Sequence, residues 1–356
     1  MKVNRAELKD ALEKVRPGLA KEELVEQATS FAFLGDRVVT YNDEISVSHP
    51  VNNLNLRGAI KAEPLYAFLS KLTAEEVDIT FEEDQVLIKA GRSRAGFALQ
   101  KDVTMPIEDI DPAQDWADVP EGFLAALQSC LPYCARDMSR PILTSVFING
   151  KTMVASDSHR IVSHTLKAEF PGGPFLLPAR AGRELVKYDV KQTSRGTRWV
   201  HFRTAAGTVF SSRLMVGEFP AVARFLAPEG QHLVFPKGIG AALDRARIFA
   251  RPDPTGDHKM VSITLSNGRV RAHARNEYGW VEEDARIQYD GDPITFDVAA
   301  DFLISMFDKV QECTLASNRI RFAGDGWVHV VAVVAPRKEA PAPTTRTGAS
   351  DDESDE

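Results

Sequence analysis

Three leucines, Leu12, Leu127 and Leu243, end the similar phrases Asp10-Ala11-Leu12, Ala125-Ala126-Leu127 and Ala241-Ala242-Leu243, at spacings of 115 and 116 residues. Solenoid elements repeat every ~20–50 residues, so a period this long is a whole small domain copied. The 356 residues therefore read as three copies of one unit.

Other landmarks keep the period. Gly35-Asp36, Asn149-Gly150 and Asn267-Gly268 each separate two strand-like runs, and Asn-Gly tolerates the positive φ of a type I′ hairpin turn. Leu69, Leu185 and Leu303 mark a second helix in each copy, over 62–72, 179–191 and 298–310, with apolar residues at helical intervals. First helices are expected over 2–16, 121–136 and 237–251. Strands are expected over 77–81, 85–90, 95–99, 199–203, 208–213, 319–322 and 328–334. The fold class is α+β, each unit running helix, strands, helix, strands. The expected domains span 1–112, 120–222 and 234–336, with links at 105–120 and 219–236.

Composition narrows the alternatives. The chain is 44% hydrophobic, enough for several cores. It has no run of ~18 apolar residues, so no membrane span is expected. Met1 to Arg5 open directly into an amphipathic stretch without the features of a signal peptide. Three cysteines, Cys130, Cys134 and Cys313, suit a reducing cytoplasm. Cys130 and Cys134 lie one helical turn apart, but no second pair completes a metal site, and buried thiols are expected. Residues 337–356 are rich in Pro, Thr and Ser and end in Asp351-Asp352-Glu353-Ser354-Asp355-Glu356, a disordered acidic tail by composition.

The net charge of −7 argues against a simple basic nucleic-acid binder. Its distribution is more informative. With Lys61 counted in, the six expected helices sum to +7, which leaves −14 on the rest. Helices gathered on one surface would present a phosphate-tracking face.

Motifs for catalysis are weak. Gly150-Lys151-Thr152 lacks the glycine five residues earlier that a phosphate-binding loop requires, since Ser145 stands there. The densest polar cluster is Ser156-Asp157-Ser158-His159-Arg160. An enzyme would use His159 as a base oriented by Asp157, but neighbouring strand residues alternate faces. A polar turn framing a surface pocket fits better. No catalytic residue, metal ligand or cofactor is expected.

That cluster also carries a resemblance. Arg140-Pro141-Ile142-Leu143, the hairpin after it, and Val154-Ala155-Ser156-Asp157-Ser158-His159-Arg160-Ile161 resemble the middle domain of the bacterial DNA polymerase III beta subunit, the sliding clamp family. The stretches from Phe175 to Leu185, from Gly217 to Pro220 and from Ile294 to Leu303 resemble its later segments, and the likeness runs from about 120 to 334. It implies a head-to-tail homodimer of three-domain chains closed into a ring, helices inside and sheets outside, around double-stranded DNA. Such a ring is not an enzyme. It tethers a DNA polymerase in the cytoplasm, on the nucleoid during replication, and a clamp loader opens it. By that likeness Arg5, Lys9, Arg136, Arg183, Lys187, Arg245 and Arg247 would face DNA. A peptide pocket would be walled by Leu143, Ser156, Ser158, His159, Arg160, Ile161, Pro228, Val330, Val331, Ala332 and Val333. Two departures, Ser158 in place of the family's usual glycine and a C-terminal strand without its methionines, suit a divergent clamp of a virus or mobile element working in its host's cytoplasm. The rivals are a clamp-fold docking platform that no longer encircles DNA and an enzyme using Asp157 and His159.

Overall fold

The computed structural model describes residues 1–51, 54–82, 84–253 and 258–336, so the acidic tail expected over 337–356 lies outside the described residues. The elements recur in three runs. The first is β1 (Lys2–Asn4), α1 (Arg5–Val15), β2 (Ser30–Gly35), β3 (Arg37–Tyr41), β4 (Ile45–Pro50), β5 (Leu56–Lys61), α2 (Ala62–Lys71), β6 (Glu76–Glu82), β7 (Gln85–Ala90) and β8 (Ser93–Ala98). The second is β9 (Ala117–Asp118), α3 (Phe123–Cys130), β10 (Ser145–Asn149), β11 (Thr152–Ser156), β12 (Arg160–Thr165), β13 (Phe175–Pro178), α4 (Ala179–Leu185), β14 (Val190–Arg195), β15 (Trp199–Thr204) and β16 (Val209–Arg213). A short helix, α5 (Ala223–Leu226), follows. The third is β17 (Gln231–Val234), α6 (Ile239–Ala246), β18 (Arg251–Pro252), β19 (Lys259–Ser266), β20 (Arg269–Arg275), β21 (Trp280–Arg286), β22 (Ile294–Ala299), α7 (Ala300–Phe307), β23 (Glu312–Ala316), β24 (Arg319–Gly324) and β25 (Trp327–Ala332).

The chain packs as two units. Unit 1 holds Met1–Ala227 and Ala323–Val330, and unit 2 holds Pro228–Phe322 with Val331 onward. Within unit 1 one sheet runs β5-β2-β3-β4-β16-β15-β14-β9, a second runs β1-β6-β7-β8, and a third carries β13-β10-β11-β12 with β25 beside β12. Unit 2 carries β18-β19-β20-β21, with β22 also on β19, and the run β17-β23-β24. Each repeat thus contributes two half-sheets of like order. The short opening strands confirm the equivalence, since β1 pairs β6, β9 pairs β14 and β17 pairs β23, all antiparallel.

The helices begin where local chemistry favours it. Asn4 caps α1, its Oδ1 accepting from the backbone N–H of Ala6 at 2.9 Å and of Glu7 at 3.1 Å. Gly122 and Gly238, both left-handed with φ of 84° and 94°, turn the chain into α3 and α6. Leu12, Leu127 and Leu243 are fully buried on the first helices, and so are Leu69, Leu185 and Leu303 on the second. The period that identified the repeat is therefore a period of core contacts.

The helices are shorter than the sequence suggests. Residues 2–4 form a strand because they find β6 as a partner. The turns after α1, α3 and α6 tighten into 3-10 geometry at Arg16–Gly18, Leu131–Tyr133 and Arg247–Phe249. The helix expected over 179–191 stops at Leu185, and Val190–Arg195 becomes β14, paired with β15. Val298 and Ala299 belong to β22 and not to α7. At Asn267-Gly268 both residues have positive φ, 48° and 71°, as a type I′ turn requires. At 149–150 the expected I′ turn is replaced. Asn149 still pairs with Thr152, and only Gly150, with φ 56°, takes the left-handed conformation, at the first position of the loop.

Candidate nucleic-acid and partner-peptide surfaces

The polar cluster is a hairpin corner, and it occurs three times. Asp157 Oδ1 accepts from the N–H of His159 at 3.1 Å and of Arg160 at 3.0 Å. Asn42 Oδ1 does the same for Glu44 at 3.2 Å and Ile45 at 2.9 Å, and Asn276 Oδ1 for Tyr278 at 2.9 Å and Gly279 at 3.2 Å. These are Asx turns, in which a short side chain substitutes for a backbone acceptor. The corner joins β3 to β4, β11 to β12 and β20 to β21. Asp157 is accordingly a turn residue. Its other oxygen pairs with Arg160 Nε at 2.8 Å, so both carboxylate oxygens are engaged in holding the corner.

The first corner is tied to its surroundings by Asn42, which donates to the Pro17 and Leu19 carbonyls, and by Arg213, which donates to Asp43; the second is tied through Arg160. Arg160 also donates to the carbonyl of Pro132 at 2.8 Å, and its guanidinium lies over the Tyr133 ring at 4.5 Å. Tyr133 meets His329 edge-on at 4.7 Å, and His329 meets Trp327 at 4.9 Å and His164 at 6.2 Å. Arg140 donates to Ser158 Oγ at 2.7 Å, which ties the segment around Leu143 to the corner. Unit 1 thus gathers Leu143, Ser156, Ser158, His159, Arg160 and Ile161 on one corner and the turn beside it, with Val330 on the neighbouring β25. Pro228, Val331, Ala332 and Val333 belong to unit 2, where Val331 and Val333 are buried and Ala332 is exposed. The sequence reading missed Tyr133, His164, Trp327 and His329. Their signal was faint, since the cluster joins residues nearly 200 positions apart.

Basic residues are placed less simply than expected. With the observed helix bounds, the six main helices carry no net charge. The surplus sits in the flanking segments, in turns at Arg16, Arg136, Lys187 and Arg247 and in strands at Lys2, Lys61, Lys191 and Arg251. Cations in those turns complement the helix C-terminus, a structural reason that needs no ligand. Arg5 donates to the carbonyls of Ala74 at 2.7 Å and Leu69 at 3.3 Å, so it fastens α1 to the end of α2. Lys9 lies 5.7 Å from the Tyr66 ring. Lys187 pairs with Glu184 at 2.7 Å, Arg245 binds Glu283 through two nitrogens, and Arg247 joins Asp244 and Asp301. Arg136 and Arg183 are exposed and form no ion pair among the described residues. In unit 1 a groove of about 1120 Å³ runs between Lys14 and Arg16 at the end of α1, Tyr66 on α2, Arg180 on α4 and Lys187 just beyond it.

All three cysteines are buried and unbridged, and burial raises each thiol, Cys134 and Cys313 to about 12. No group of acidic, His and Cys side chains fit for a metal ion occurs among the described residues. No helix there is long and apolar enough to cross a membrane.

No protein-family profile matches the chain. A beta sliding clamp of Pseudomonas aeruginosa is 26% identical over 268 residues, covering 69% of each chain. One from Haemophilus influenzae is 25% identical over 262 residues, covering 66% of this chain and 67% of its own. The DNA polymerase III beta subunit of P. aeruginosa superimposes with a TM-score of 0.81 at 20% identity, over 94% of this chain and all of that one. The DNA polymerase III beta chain of Streptococcus pneumoniae gives 0.82 at 18% identity, over 94% and 99%. The chain has the fold of the bacterial beta sliding clamps and is similar to them in sequence over about two thirds of its length.

In this chain the departure at Ser158 is absorbed without reshaping the corner. Ser158 keeps a φ of 78°, in the left-handed region that glycine favours, and Asp43 sits at 74° in the first corner. Arg140 and Ser156 hold it there, the Ser158 N–H donating to Ser156 Oγ at 3.2 Å. Asp157 holds the corner itself. Replacing it with alanine strands two N–H groups and a largely buried guanidinium, so Asp157→Ala is expected to cost about 2–3 kcal/mol in urea unfolding. Asp157→Asn keeps the Asx acceptor and should recover roughly half of that.

Proposed function

We propose that this clamp closes head to tail with a second copy into a ring around double-stranded DNA and tethers a DNA polymerase there. The three repeats, 1–112, 120–222 and 234–336, form half the ring. The observation that carries this reading is the use of sheet edges. Each repeat has one half-sheet ending in the strand after the Asx corner, β4, β12 or β21, and another ending in its last strand, β8, β16 or β25. β4 is joined to β16 and β12 to β25. That leaves β8, of six residues, and β21, of seven, as unused edges of the same two kinds. Other edges are short, as β9 and β18 are, or capped by a bridge, as β5, β13 and β22 are. Long bare edges invite pairing, and here each is the complement of the other. A head-to-tail pairing repeated in both directions closes a two-fold ring.

The ring acts by linkage and not by chemistry. Asp157 serves the corner, so polymerase and clamp-loader peptides dock beside it and ATP is hydrolysed by the loader. DNA is held through phosphates, without base readout, by Lys9, Arg136, Arg183 and Lys187, with Arg5, Arg245 and Arg247 bound to protein groups. The site of action is the cytoplasm.

Threading tests this directly. The full chain, mixed with a linear duplex biotinylated at both ends, is expected to thread over free ends. Streptavidin added afterwards traps it through a salt wash that strips ordinary phosphate contacts. Washing free-ended duplex should remove it completely. Equal loss from blocked and free ends would replace the ring with an open docking platform.

A further inference from the structure

The second repeat carries a polar pair where the other two are apolar. The cross-strand pairs Phe81–Val86, Arg195–Val200 and Leu315–Ile320 are equivalent, each one rung from the tip of its hairpin, β6–β7, β14–β15 or β23–β24. Two residues earlier on the same strands stand Ile79, Thr193 and Cys313. Side chains two apart on a strand share a face, and residues directly opposite share it too. Val86, Val200 and Ile320 are buried on that face. Repeats 1 and 3 complete it with Ile79 and Phe81 and with Cys313 and Leu315. Repeat 2 sets Thr193 and Arg195 there.

We propose that Thr193 and Arg195 form a binding site for a small oxyanion, a carboxylate or a phosphate group. The site lies apart from the surfaces described above and does not depend on ring closure.

Both residues line a cleft of about 500 Å³ within unit 1, between the segment from Asp111 to Ala117 and the turn at Pro171-Gly172. Thr193 is 2% exposed, and its Oγ1 has no hydrogen-bond partner. Arg195 is half-buried, and its Nε has none either. Burying a donor without an acceptor is costly, and an apolar pair, as in the sister repeats, would avoid that cost. The two donors therefore call for an acceptor from outside the chain.

The guanidinium is held ready for one. Its Nη1 donates to the carbonyls of Gly196 and Thr197, the latter at 3.4 Å, and it lies over the Phe175 ring at 5.6 Å. Its stem packs on Gly172, where an added Cβ would stand 2.5 Å from the Arg195 Cβ. Asp111 shares the cleft but is engaged elsewhere. Its Oδ2 accepts from the N–H of Arg198 at 2.5 Å and of Trp199 at 3.1 Å, and its Oδ1 lies 3.9 Å from Arg198 Nε. Burial lowers the Arg195 pKa from its ordinary value, and the opposing pull of Asp111 does not offset it. A planar guanidinium fits carboxylate and phosphate alike, and a second oxygen of either group can accept from the threonine hydroxyl.

Heteronuclear NMR of the arginine Nε–Hε groups in the full chain tests the site. Sodium phosphate and sodium succinate are titrated separately, with sodium chloride holding the ionic strength constant. One resonance, missing from Arg195→Leu, is expected to move and to saturate at roughly millimolar concentration of at least one probe. A response to phosphate alone identifies a phosphorylated ligand, and a response to succinate alone an acidic side chain or chain terminus. Thr193→Val should weaken binding about 5-fold. Both variants restore the apolar character of the sister repeats, so neither should unfold at lower urea than the parent. An Arg195 resonance that saturates with neither probe overturns the site, and so does unweakened binding by Thr193→Val. A urea midpoint that falls in both variants would assign the pair to the fold alone.

Discussion

Leu127→Ala is expected to destabilise the protein by about 3–4 kcal/mol, with similar losses for Leu12→Ala and Leu243→Ala. Each leucine is fully buried against the strands of its own repeat. Truncation removes about three methylene-sized groups from contact and leaves a cavity that a packed helix cannot collapse to fill. Leu24, 90% exposed, supplies the control, because Leu24→Ala should stay within about 0.5 kcal/mol of the parent. Urea midpoints read both. A loss below about 1 kcal/mol for Leu127→Ala would mean that the position matters to the repeat for some reason other than packing.

Those leucines explain why the fold was legible. A position that must be leucine to fill the same hole in each copy keeps its identity after the surface has diverged. The Gly-turn landmarks persisted because left-handed backbone restricts the residue, as at Gly35, Gly150 and Gly268. Helix ends were harder to see. Nothing in Lys187-Tyr188-Asp189-Val190 forbids a helix, and β14 forms because β9 and β15 offer edges on either side. Tertiary pairing decides there, and local propensity does not.

The site was legible in part. The cluster around Asp157 stood out as polar, but its role as a repeated Asx corner needed Asn42 and Asn276 beside it. Those corners share geometry and little sequence. The charge argument fared worse, since the positive excess assigned to helices lies in the turns and strands that flank them.

Acid should loosen the β4–β16 join well before the carboxylates titrate. His49, on β4, bonds through Nδ1 with Thr208 Oγ1 at 2.7 Å, and His201, on β15, bonds with Ser211 Oγ at 2.8 Å on β16. Burial pushes each imidazole down to about 4. Lys14 and Arg37 add to the shift at His49 while Asp10 opposes it, and Asp111 opposes it at His201. The sign follows from which state binds the proton. Between pH 6.5 and about 4 the unfolded chain takes up protons that the folded chain refuses, so stability present above 6.5 is lost as pH falls. Discounted for residual solvation, each histidine contributes about 2 kcal/mol to that loss. The expected result is a urea midpoint that drops steeply from pH 6.5 to 5. His49→Asn and His201→Asn start lower at pH 7.5 and flatten the slope, additively if the two sites act independently. A slope unchanged in both variants would assign the acid sensitivity to carboxylates instead. β16 carries the join between the first two repeats, so the two neutral histidines on the strands beside it, β4 and β15, tie that join to neutral pH.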